Sequence, residues 1–315
     1  MIYDVVGDVH GKASLLEKLL CTLGYRKAMS SGAYVARDRI AVFLGDLIDR
    51  GEEQLETVRI VRSMCDEGSA LCVLGNHEFN AVMYATEDPS SPGRYLRKHT
   101  EGNERQHAMF LRQFGGVDAP LHREWVGWFK TLPMWIRRYD FMAVHACYDP
   151  VSMTISRAAT DGTLCLEGCR SLPRMASKLS RQGRAADVLL KGPETRLPYR
   201  LSFTDKNGLV RRKMRVRWWQ DSAPDLYDDG ISLNCSDKEK EHLKAFSTPY
   251  TRKAPDIEGL VFIGHYWLKP TSTPRPLSEN VICCDYSAGI GGPLCAYSHE
   301  FGHQAEPSRF TLAQP

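Results

Sequence analysis

The sequence predicts an α/β fold with parallel strands at its centre, and three observations lead to this prediction. Short apolar runs rich in β-branched residues alternate with segments whose apolar residues recur at helical spacing. The first three of these runs each end in a glycine followed by a polar turn. The chain has 315 residues, of which 43% are hydrophobic, as in soluble globular proteins. Alternating strands and helices are typical of domains built on a parallel sheet.

Two complete strand–helix units and a third strand open the chain. Residues 1–6 (MIYDVV) are predicted to form a strand. Residues 12–24 predict a helix, because five leucines share one face and a glycine ends the segment. Residues 39–45 (RIAVFLG) and 70–75 (ALCVLG) predict two further strands. Residues 52–67 predict the helix between them, since their apolar side chains recur at helical spacing.

The middle of the chain is less regular. Residues 86–105 are polar and interrupted by proline and glycine, which indicates a surface loop. Helices are predicted near residues 107–114 and 123–132, and a strand at residues 141–147 (FMAVHAC). Residues 150–200 show only weak periodicity, so no element is predicted there.

The last third of the chain predicts β-structure. Two β-rich runs within residues 200–219 flank Asn207-Gly208, the dipeptide that best tolerates a tight hairpin turn. One face of this hairpin is basic, and an ordinary solvated face explains it better than a substrate-facing surface does. Three closing strands are predicted at residues 259–265, 280–289 and 293–300.

Composition and charge exclude several classes of protein. The formal net charge of +3 is too small to indicate nucleic-acid binding. No apolar run approaches the roughly 20 residues of a membrane helix, and the first residues lack the pattern of a signal peptide. We therefore expect a cytoplasmic protein with no membrane partner. The ten cysteines form no C-x-x-C pair, which argues against a zinc ribbon.

Residues suited to metal binding and acid–base chemistry follow the predicted strands. Ligands in open α/β sheets bind beyond the carboxyl ends of the strands, so these side chains are expected to meet there. Mixed carboxylate, imidazole and amide groups suit Mn, Fe or Zn. The candidates are Asp8, His10, Asp46, Asp49, Arg50, Asn76, His77, His145 and His265.

These candidates can be divided between two metal ions. Asp8, His10 and Asp46 can hold the first ion, and the second can be held by Asn76, His145 and His265 if Asp46 bridges the two. Such a pair activates a hydroxide for in-line attack at phosphorus. Taken alone, GDVHG is better explained as a tight turn whose aspartate caps a helix. A single histidine at the end of a strand is, by itself, better explained as a core residue.

Three motifs together resemble a known family. GDVHG (residues 7–11), GDLIDRG (45–51) and GNHE (75–78) are similar to the signature of the phosphoprotein phosphatase (PPP) branch of the calcineurin-like metallophosphoesterases, closest in style to its bacterial and phage members. VHAC and FIGH extend the resemblance to the two later histidines. The resemblance implies a four-layer α/β/β/α sandwich with two mixed central sheets. We expect residues 1–315 to form one such domain, with an insertion at about 148–220 that contains the hairpin.

The resemblance also implies roles for the candidate residues. His77 would protonate the leaving oxygen as general acid, and Asp49 would hold its imidazolium form. Arg50 and Asn76 would bind the phosphate, Arg50 through its planar fork. The cofactors would be two divalent ions, manganese preferred, with iron, zinc or nickel as alternatives. The metal ligands would be Asp8, His10, Asp46, Asn76, His145 and His265.

Two departures from the family pattern leave questions open. The family's His-Gly-Gly segment is replaced by His145-Ala146-Cys147. A downstream phosphate-binding arginine of eukaryotic members has no match, and Arg196, Arg200, Arg211 or Arg212 are the possible substitutes. Asp221 is equally well explained as a residue of the site or as a helix cap. Asp285 and Tyr286 fall where family members place residues near the site. No role is predicted for the six remaining histidines, His99, His107, His122, His242, His299 and His303.

The function predicted first is a two-metal phosphomonoesterase that acts by attack of a metal-bound hydroxide, with phosphoserine or phosphothreonine in proteins among its substrates. The alternative is a dinucleoside tetraphosphate hydrolase or another nucleotide pyrophosphohydrolase. The expected partner is thus a phosphoprotein, a nucleotide or a small phosphoester, and the oligomeric state is left open. A non-catalytic binding module is disfavoured because Asp46, Asn76 and His77 are all present. A nuclease is disfavoured by the modest charge.

Overall fold

The computed structural model describes residues 1–197, 201–204, 210–221, 236, 238 and 253–315. In chain order, its strands are β1 (Ile2–Val6), β2 (Arg26–Lys27), β3 (Tyr34–Val35), β4 (Arg39–Phe43), β5 (Ala70–Cys72), β6 (Trp135–Arg138), β7 (Phe141–Val144), β8 (Glu194–Arg196), β9 (Phe203–Thr204), β10 (Val210–Arg211), β11 (Lys213–Arg215), β12 (Leu260–Ile263), β13 (Val281–Cys283), β14 (Leu294–Glu300) and β15 (Phe310–Ala313). Its α-helices are α1 (Ala13–Thr22), α2 (Gln54–Asp66), α3 (Asn76–Ala85), α4 (Glu101–Gln113), α5 (Pro120–Thr131), α6 (Pro150–Ala159), α7 (Leu172–Ala176) and α8 (Arg181–Lys191).

The larger sheet has five strands in the order β15-β14-β1-β4-β5. β1, β4 and β5 are parallel, with Val6 opposite Phe43 and Phe43 opposite Cys72. β14 joins β1 in the antiparallel direction, and β15 joins β14 in the same way. The three strands that precede GDVHG, GDLIDRG and GNHE therefore lie side by side and end at the same edge.

The smaller sheet has four strands in the order β13-β12-β7-β6. β13, β12 and β7 are parallel, whereas β6 pairs with β7 in the antiparallel direction. Both central sheets are thus mixed, and the predicted α/β fold is confirmed.

Alternating side chains of the strands separate two apolar cores. In β1 and β4, Val5 and Val42 belong to a core between the sheets, which they share with Phe141 and Phe262 of the smaller sheet. The rings of Phe141 and Phe262 meet edge to face at 5.6 Å. The next residue along β1, Val6, belongs instead to the larger core that contains the leucines of α1. This period of two is the signature of sheets with both faces buried.

Several element boundaries differ from the sequence prediction. The segment 86–105 was expected to be a loop throughout, but α4 already begins at Glu101 because the Thr100 side chain caps it by accepting from the Asn103 backbone N–H. β6 and β15, which are edge strands of the two sheets, were not predicted.

The segment of weak periodicity, residues 150–200, contains three helices, α6, α7 and α8. The short strand β8 also lies within this segment and pairs with β11, and β9 pairs with β10, both antiparallel. The predicted turn at Asn207-Gly208 lies outside the described residues, and the division of the chain into one domain with an insertion stays a prediction. No helix in the described ranges is long and apolar enough to cross a membrane.

Candidate metal centre

Backbone hydrogen bonds lock the loops after β1 and β4 together. The His10 N–H donates to the Asp46 carbonyl at 2.9 Å, and the Gly51 N–H donates to the His10 carbonyl at 3.0 Å. The third loop lies equally close, because a Cβ on Gly75 would stand closer than 3.0 Å to the backbone nitrogen of Asp46. The three motifs are therefore in direct contact, although they are separated in sequence by a whole helix or strand.

Asp46 lies at the middle of the centre. Its Oδ2 is 3.7 Å from His10 Nε2 and 3.8 Å from His77 Nε2. Its Oδ1 is 3.4 Å from His145 Nε2. Two groups of potential ligand atoms share this carboxylate: one also contains His10 and His77, and the other also contains His145 and His265. Within each group the ligand atoms lie within 4.8 Å of one another. A carboxylate common to two groups is the arrangement predicted for a bridging ligand.

Asn76 and Asp8 take different positions around these groups. Asn76 Oδ1 lies 3.2 Å from His145 Nε2, beside the second group as predicted. Asp8 was expected beside His10 and Asp46. Its carboxylate accepts the backbone N–H of His265 at 3.0 Å and belongs to neither group. In the first group, His77 stands where the sequence analysis placed Asp8. The assignment of Asp8 as a metal ligand therefore stays a prediction.

The histidines present free nitrogens to the centre. His10 donates from Nδ1 to the Ile48 carbonyl at 2.9 Å, and His145 from Nδ1 to the Leu44 carbonyl at 2.6 Å. Because a carbonyl can only accept, Nδ1 carries a proton in both rings, and Nε2 of both rings faces Asp46. Backbone carbonyls orient metal-binding histidines in this way.

Buried polar atoms without partners support a cation in this position. His10 Nε2 and both ring nitrogens of His265 are buried and have no hydrogen-bond partner among the described residues. Burial lowers the pKa of His10 to about 3, so its ring is neutral and able to coordinate. An unpaired buried nitrogen is costly unless an ion or ligand meets it. The donor set fits a borderline divalent metal.

Negative charges accumulate next to these nitrogens. Burial, together with the charges of Asp285 and Asp46, raises the pKa of Asp8 well above its usual range. Burial alone would raise the pKa of Asp46, but His145 and His77 outweigh it and hold that pKa well below its usual range. A bound divalent cation would relieve the repulsion among these carboxylates.

Glu78 organises the second motif, a role that was not predicted. Its buried carboxylate accepts the backbone N–H groups of Asp46 and Leu47 at 2.8 Å, and those of Gly75 and Ile48 at 3.1 and 3.3 Å. Burial and the charge of Asp46 raise the pKa of Glu78 to about 7. The GNHE motif contains the signal, because a glutamate three residues after a helix N-cap is the position of a capping box.

The site stores backbone strain. Residues other than glycine rarely adopt positive φ, and each such residue costs about 1–3 kcal/mol. Residues at positive φ, from 48° to 74°, are common at this centre: they are His10, Asp46, Asp49, Arg50 and His265. Their presence at one sheet edge indicates that side-chain placement there outweighs local backbone preference.

The predicted acid, His77, is held by a carboxylate as expected. His77 Nδ1 lies 2.5 Å from Asp49 Oδ2. Burial would lower the pKa of His77, but the charge of Asp46 and the hydrogen bond to Asp49 outweigh it, so the pKa is raised. Asp49 therefore fixes the ring with Nε2 directed to the centre, 3.8 Å from Asp46 Oδ2.

A second histidine bonds to Asp49, and the sequence analysis missed it. His107 Nδ1 lies 3.1 Å from Asp49 Oδ1, and both groups are buried. The only available signal was that His107, Phe110 and Phe114 share one face of an otherwise polar helix. Such a face predicts burial but not the partner.

Two arginines lie near the centre and contact different residues of the loop after β12. The Arg50 guanidinium stacks on the Trp267 ring at 3.9 Å. The backbone N–H of Trp267 donates to the Asp285 carboxylate at 2.7 Å. Arg215 donates to the His265 carbonyl at 3.3 Å and is half-buried. The arginines proposed as substitutes for the family's downstream arginine are exposed (Arg196, Arg211, Arg212) or outside the described residues (Arg200).

The remaining candidates divide between the site and other parts of the fold. Asp285 is buried, and its charge acts on Asp8. Tyr286 belongs to the larger apolar core. Asp221 is exposed and accepts the Ala254 N–H at 2.9 Å. His145-Ala146-Cys147 stands where the family pattern has His-Gly-Gly. The Ala146 backbone N–H donates to the Leu189 carbonyl of α8 at 3.0 Å, so α8 supports this segment.

Comparison with known proteins gives matches of three kinds. The sequence pattern of a family described as calcineurin-like phosphoesterase matches residues 1–265. An asymmetrical bis(5'-nucleosyl)-tetraphosphatase, PrpE of Oceanobacillus iheyensis, is 33% identical over 114 residues. This match covers 33% of the chain and 45% of that protein, so the chain spans under half the length of this relative.

A longer match is to a symmetrical bis(5'-nucleosyl)-tetraphosphatase of Methylococcus capsulatus, which is 29% identical over 249 residues, 74% of this chain and 80% of that protein. Among solved structures, a protein serine/threonine phosphatase of Saccharomyces cerevisiae has a TM-score of 0.50 at 13% identity, covering 100% of this chain and 80% of that one. At this identity the likeness is one of fold.

Proposed function

The chain belongs to the calcineurin-like phosphoesterase family of hydrolases, and on this basis we propose that it cleaves dinucleoside tetraphosphates at a phosphoanhydride bond. The observation that carries the proposal is the similarity over 249 residues to a symmetrical bis(5'-nucleosyl)-tetraphosphatase. Shorter matches to asymmetrical tetraphosphatases support the same substrate class. The sequence analysis placed phosphomonoesters first, and these relatives support its alternative more than its first choice.

In this proposal two divalent cations would be held around Asp46, one beside His10 and the other beside His145 and His265. Cations bound there withdraw charge from phosphoryl oxygens and lower the pKa of a water molecule. The unpartnered nitrogens of His10 and His265 support the assignment. The residues assigned to the cations are Asp8, His10, Asp46, Asn76, His145 and His265.

His77 acts as the proton donor to the departing phosphate oxygen. Asp49 binds Nδ1 at 2.5 Å, which fixes the ring and leaves the Nε2 proton directed to the centre. The raised pKa of His77 supports a protonated ring near neutral pH. A positioned acid of this kind contributes about 10²- to 10⁴-fold to the rate of ester hydrolysis.

Arg50 and Arg215 bind the substrate's phosphates in this proposal. Arg50 stacks on Trp267 and retains its fork of N–H donors for phosphate oxygens. Arg215 lies at the backbone of His265, beside the second ligand group. A tetraphosphate carries negative charge on both sides of the scissile bond, whereas a monoester carries it on one side only. Two arginines at the centre therefore suit the longer, more highly charged substrate better.

The test compares substrates under one set of conditions. The protein is stripped of metal with a chelator, reloaded with Mn, and assayed against diadenosine tetraphosphate, a phosphoserine peptide and p-nitrophenyl phosphate. We expect kcat/KM to be highest for diadenosine tetraphosphate. Chromatography of the nucleotides separates symmetrical cleavage into two ADP from asymmetrical cleavage into ATP and AMP.

An Asp46→Asn variant controls for contaminating hydrolases, since it should lose activity on all three substrates. A kcat/KM that is higher for the phosphopeptide would return the assignment to a protein phosphatase. Turnover that is independent of both Mn and Asp46 would overturn the proposal altogether.

A further inference from the structure

We propose that His107 is a positioning residue, which fixes the carboxylate of Asp49 so that Asp49 can in turn align His77. This inference rests on the proposed role of His77 as proton donor. It adds a third member, contributed by α4, to the pair formed by Asp49 and His77.

Each oxygen of the Asp49 carboxylate faces a different imidazole. Oδ2 lies 2.5 Å from His77 Nδ1, and Oδ1 lies 3.1 Å from His107 Nδ1. Burial alone would raise the pKa of Asp49, but the hydrogen bonds from His107 and His77 outweigh it and hold that pKa well below its usual range. Because an ionised carboxylate only accepts, both imidazoles must donate their Nδ1 protons to it.

The hydrogen bond from His107 prevents a rotation of the Asp49 carboxylate that the hydrogen bond to His77 alone would allow. A carboxylate bonded through one oxygen can still turn about its Cβ–Cγ bond, and the ring of its partner turns with it. A donor on the other oxygen fixes the plane of the carboxylate. The backbone of Asp49 is fixed separately, because its N–H donates to Gln54 Oε1 at 3.0 Å.

His107 is itself held firmly. Its ring packs on Phe110 with centroids 4.6 Å apart and lies 5.2 Å from the ring of Tyr84. Its Nε2 is buried without a partner among the described residues. A residue that served packing alone would be expected to be apolar at this place, because an unpartnered buried nitrogen costs stability. The polar ring therefore points to the bond made by Nδ1.

Two substitutions with the same functional group test the geometry. In His107→Asn the side-chain amide lies near the position of Nδ1 and can still donate to Asp49. In His107→Gln the amide lies one bond further out, near the position of Nε2. The matched control is Arg105→Gln, which removes another contact of α4, the hydrogen bond that Arg105 donates to Glu101 at 2.7 Å, without touching Asp49 or Gln54.

The assay compares two leaving groups. Mn-loaded protein is assayed with p-nitrophenyl phosphate, whose leaving group needs little protonation, and with phenyl phosphate, whose leaving group needs more. For His107→Gln we expect kcat on phenyl phosphate to fall by about 10- to 100-fold, within the range that a general acid supplies. We expect less change on p-nitrophenyl phosphate and unchanged KM. His107→Asn should recover most of the loss, and Arg105→Gln should leave the rates on both substrates unchanged.

Metal content and the urea midpoint are measured for every variant. Equal losses on both substrates, or an Asn variant no better than the Gln variant, would overturn the role of His107 while leaving the proposed function intact. Loss of bound metal in His107→Gln would also overturn it, since the effect would then lie in the centre itself. A wild-type protein that hydrolyses neither aryl phosphate nor diadenosine tetraphosphate would overturn the proposed function and this inference together.

Discussion

Replacing Gly75 by alanine should damage the centre through a single methyl group. Gly75 has φ −87° and ψ 171°, an extended conformation that alanine adopts freely. The glycine is therefore not required by its own backbone. It is required by its neighbours, because a Cβ would lie within 3.0 Å of the backbone nitrogen and Oδ1 of Asp46 and 2.6 Å from Glu78 Oε2.

The magnitude follows from what must move. None of these atoms is the end of a mobile side chain: Asp46 N is backbone, and both carboxylates are buried and hydrogen-bonded. Overpacking in a close-packed interior costs about 1–3 kcal/mol, and contact with backbone places Gly75→Ala at the upper end of that range. Asp46 should shift with the strain, so the protein should also bind less metal.

Gly127→Ala is the matched control. Gly127 lies on the exposed side of α5, with no atom within 4 Å of the added Cβ. Alanine there should stabilise the helix by about 0.5–1 kcal/mol, the difference in helix propensity. The two identical substitutions should thus have opposite signs in urea unfolding with chelator present. A Gly75→Ala variant within 1 kcal/mol of wild type that still binds two ions would refute the reasoning.

Four further predictions concern the centre directly. Asp46→Asn should lower bound Mn from two ions to one or none by elemental analysis, because this carboxylate belongs to both ligand groups; two ions at full occupancy would contradict the bridge. His77→Asn should slow hydrolysis of alkyl phosphates much more than that of p-nitrophenyl phosphate at unchanged metal content, since it removes a proton donor and no assigned ligand; metal loss would show that His77 is a ligand. Trp267→Leu should raise KM with little change in kcat, because Arg50 loses the ring on which it stacks at 3.9 Å; a normal KM in steady-state kinetics would argue against this support. In metal-free protein the pKa of Glu78 is raised to about 7, so folding takes up a proton: this stability is full below the unfolded pKa and is lost as pH rises through about 7. The urea midpoint with chelator should therefore be lower at pH 8 than at pH 6.5, and Mn should raise it more at pH 8; the reverse order would count against the shift.

Local patterns in the sequence predicted much of the fold. The alternation of strands and helices predicted the parallel strands β1, β4 and β5, and their order along the chain placed GDVHG, GDLIDRG and GNHE at one edge of the sheet. Two histidines at the ends of later strands, His145 and His265, were likewise expected there, and both lie at the centre. These predictions depend on periods of 2 and 3.6 residues and on turn residues, which neighbours in the chain determine.

Other features depend on contacts between distant segments, and only the tertiary structure decides them. His107 is 58 residues from Asp49 in sequence, and nothing around it in α4 indicates a carboxylate partner. Asp8 was placed with His10 by its spacing, but its carboxylate bonds to the backbone of His265, 257 residues away. Arg215 was not among the arginines considered, because its position beside His265 depends on how β11 lies against the loop after β12.

The sequence by itself thus determined which residue types stand at the ends of which strands. The structure decided which of them touch, which carboxylate lies between two ligand groups, and which histidines bond to Asp49. The physical reason is that hydrophobic periodicity is local and is read by each element alone. The pairing of buried polar groups is set by whichever partner the packed sheets and helices bring within about 3 Å, and that partner can come from any part of the chain.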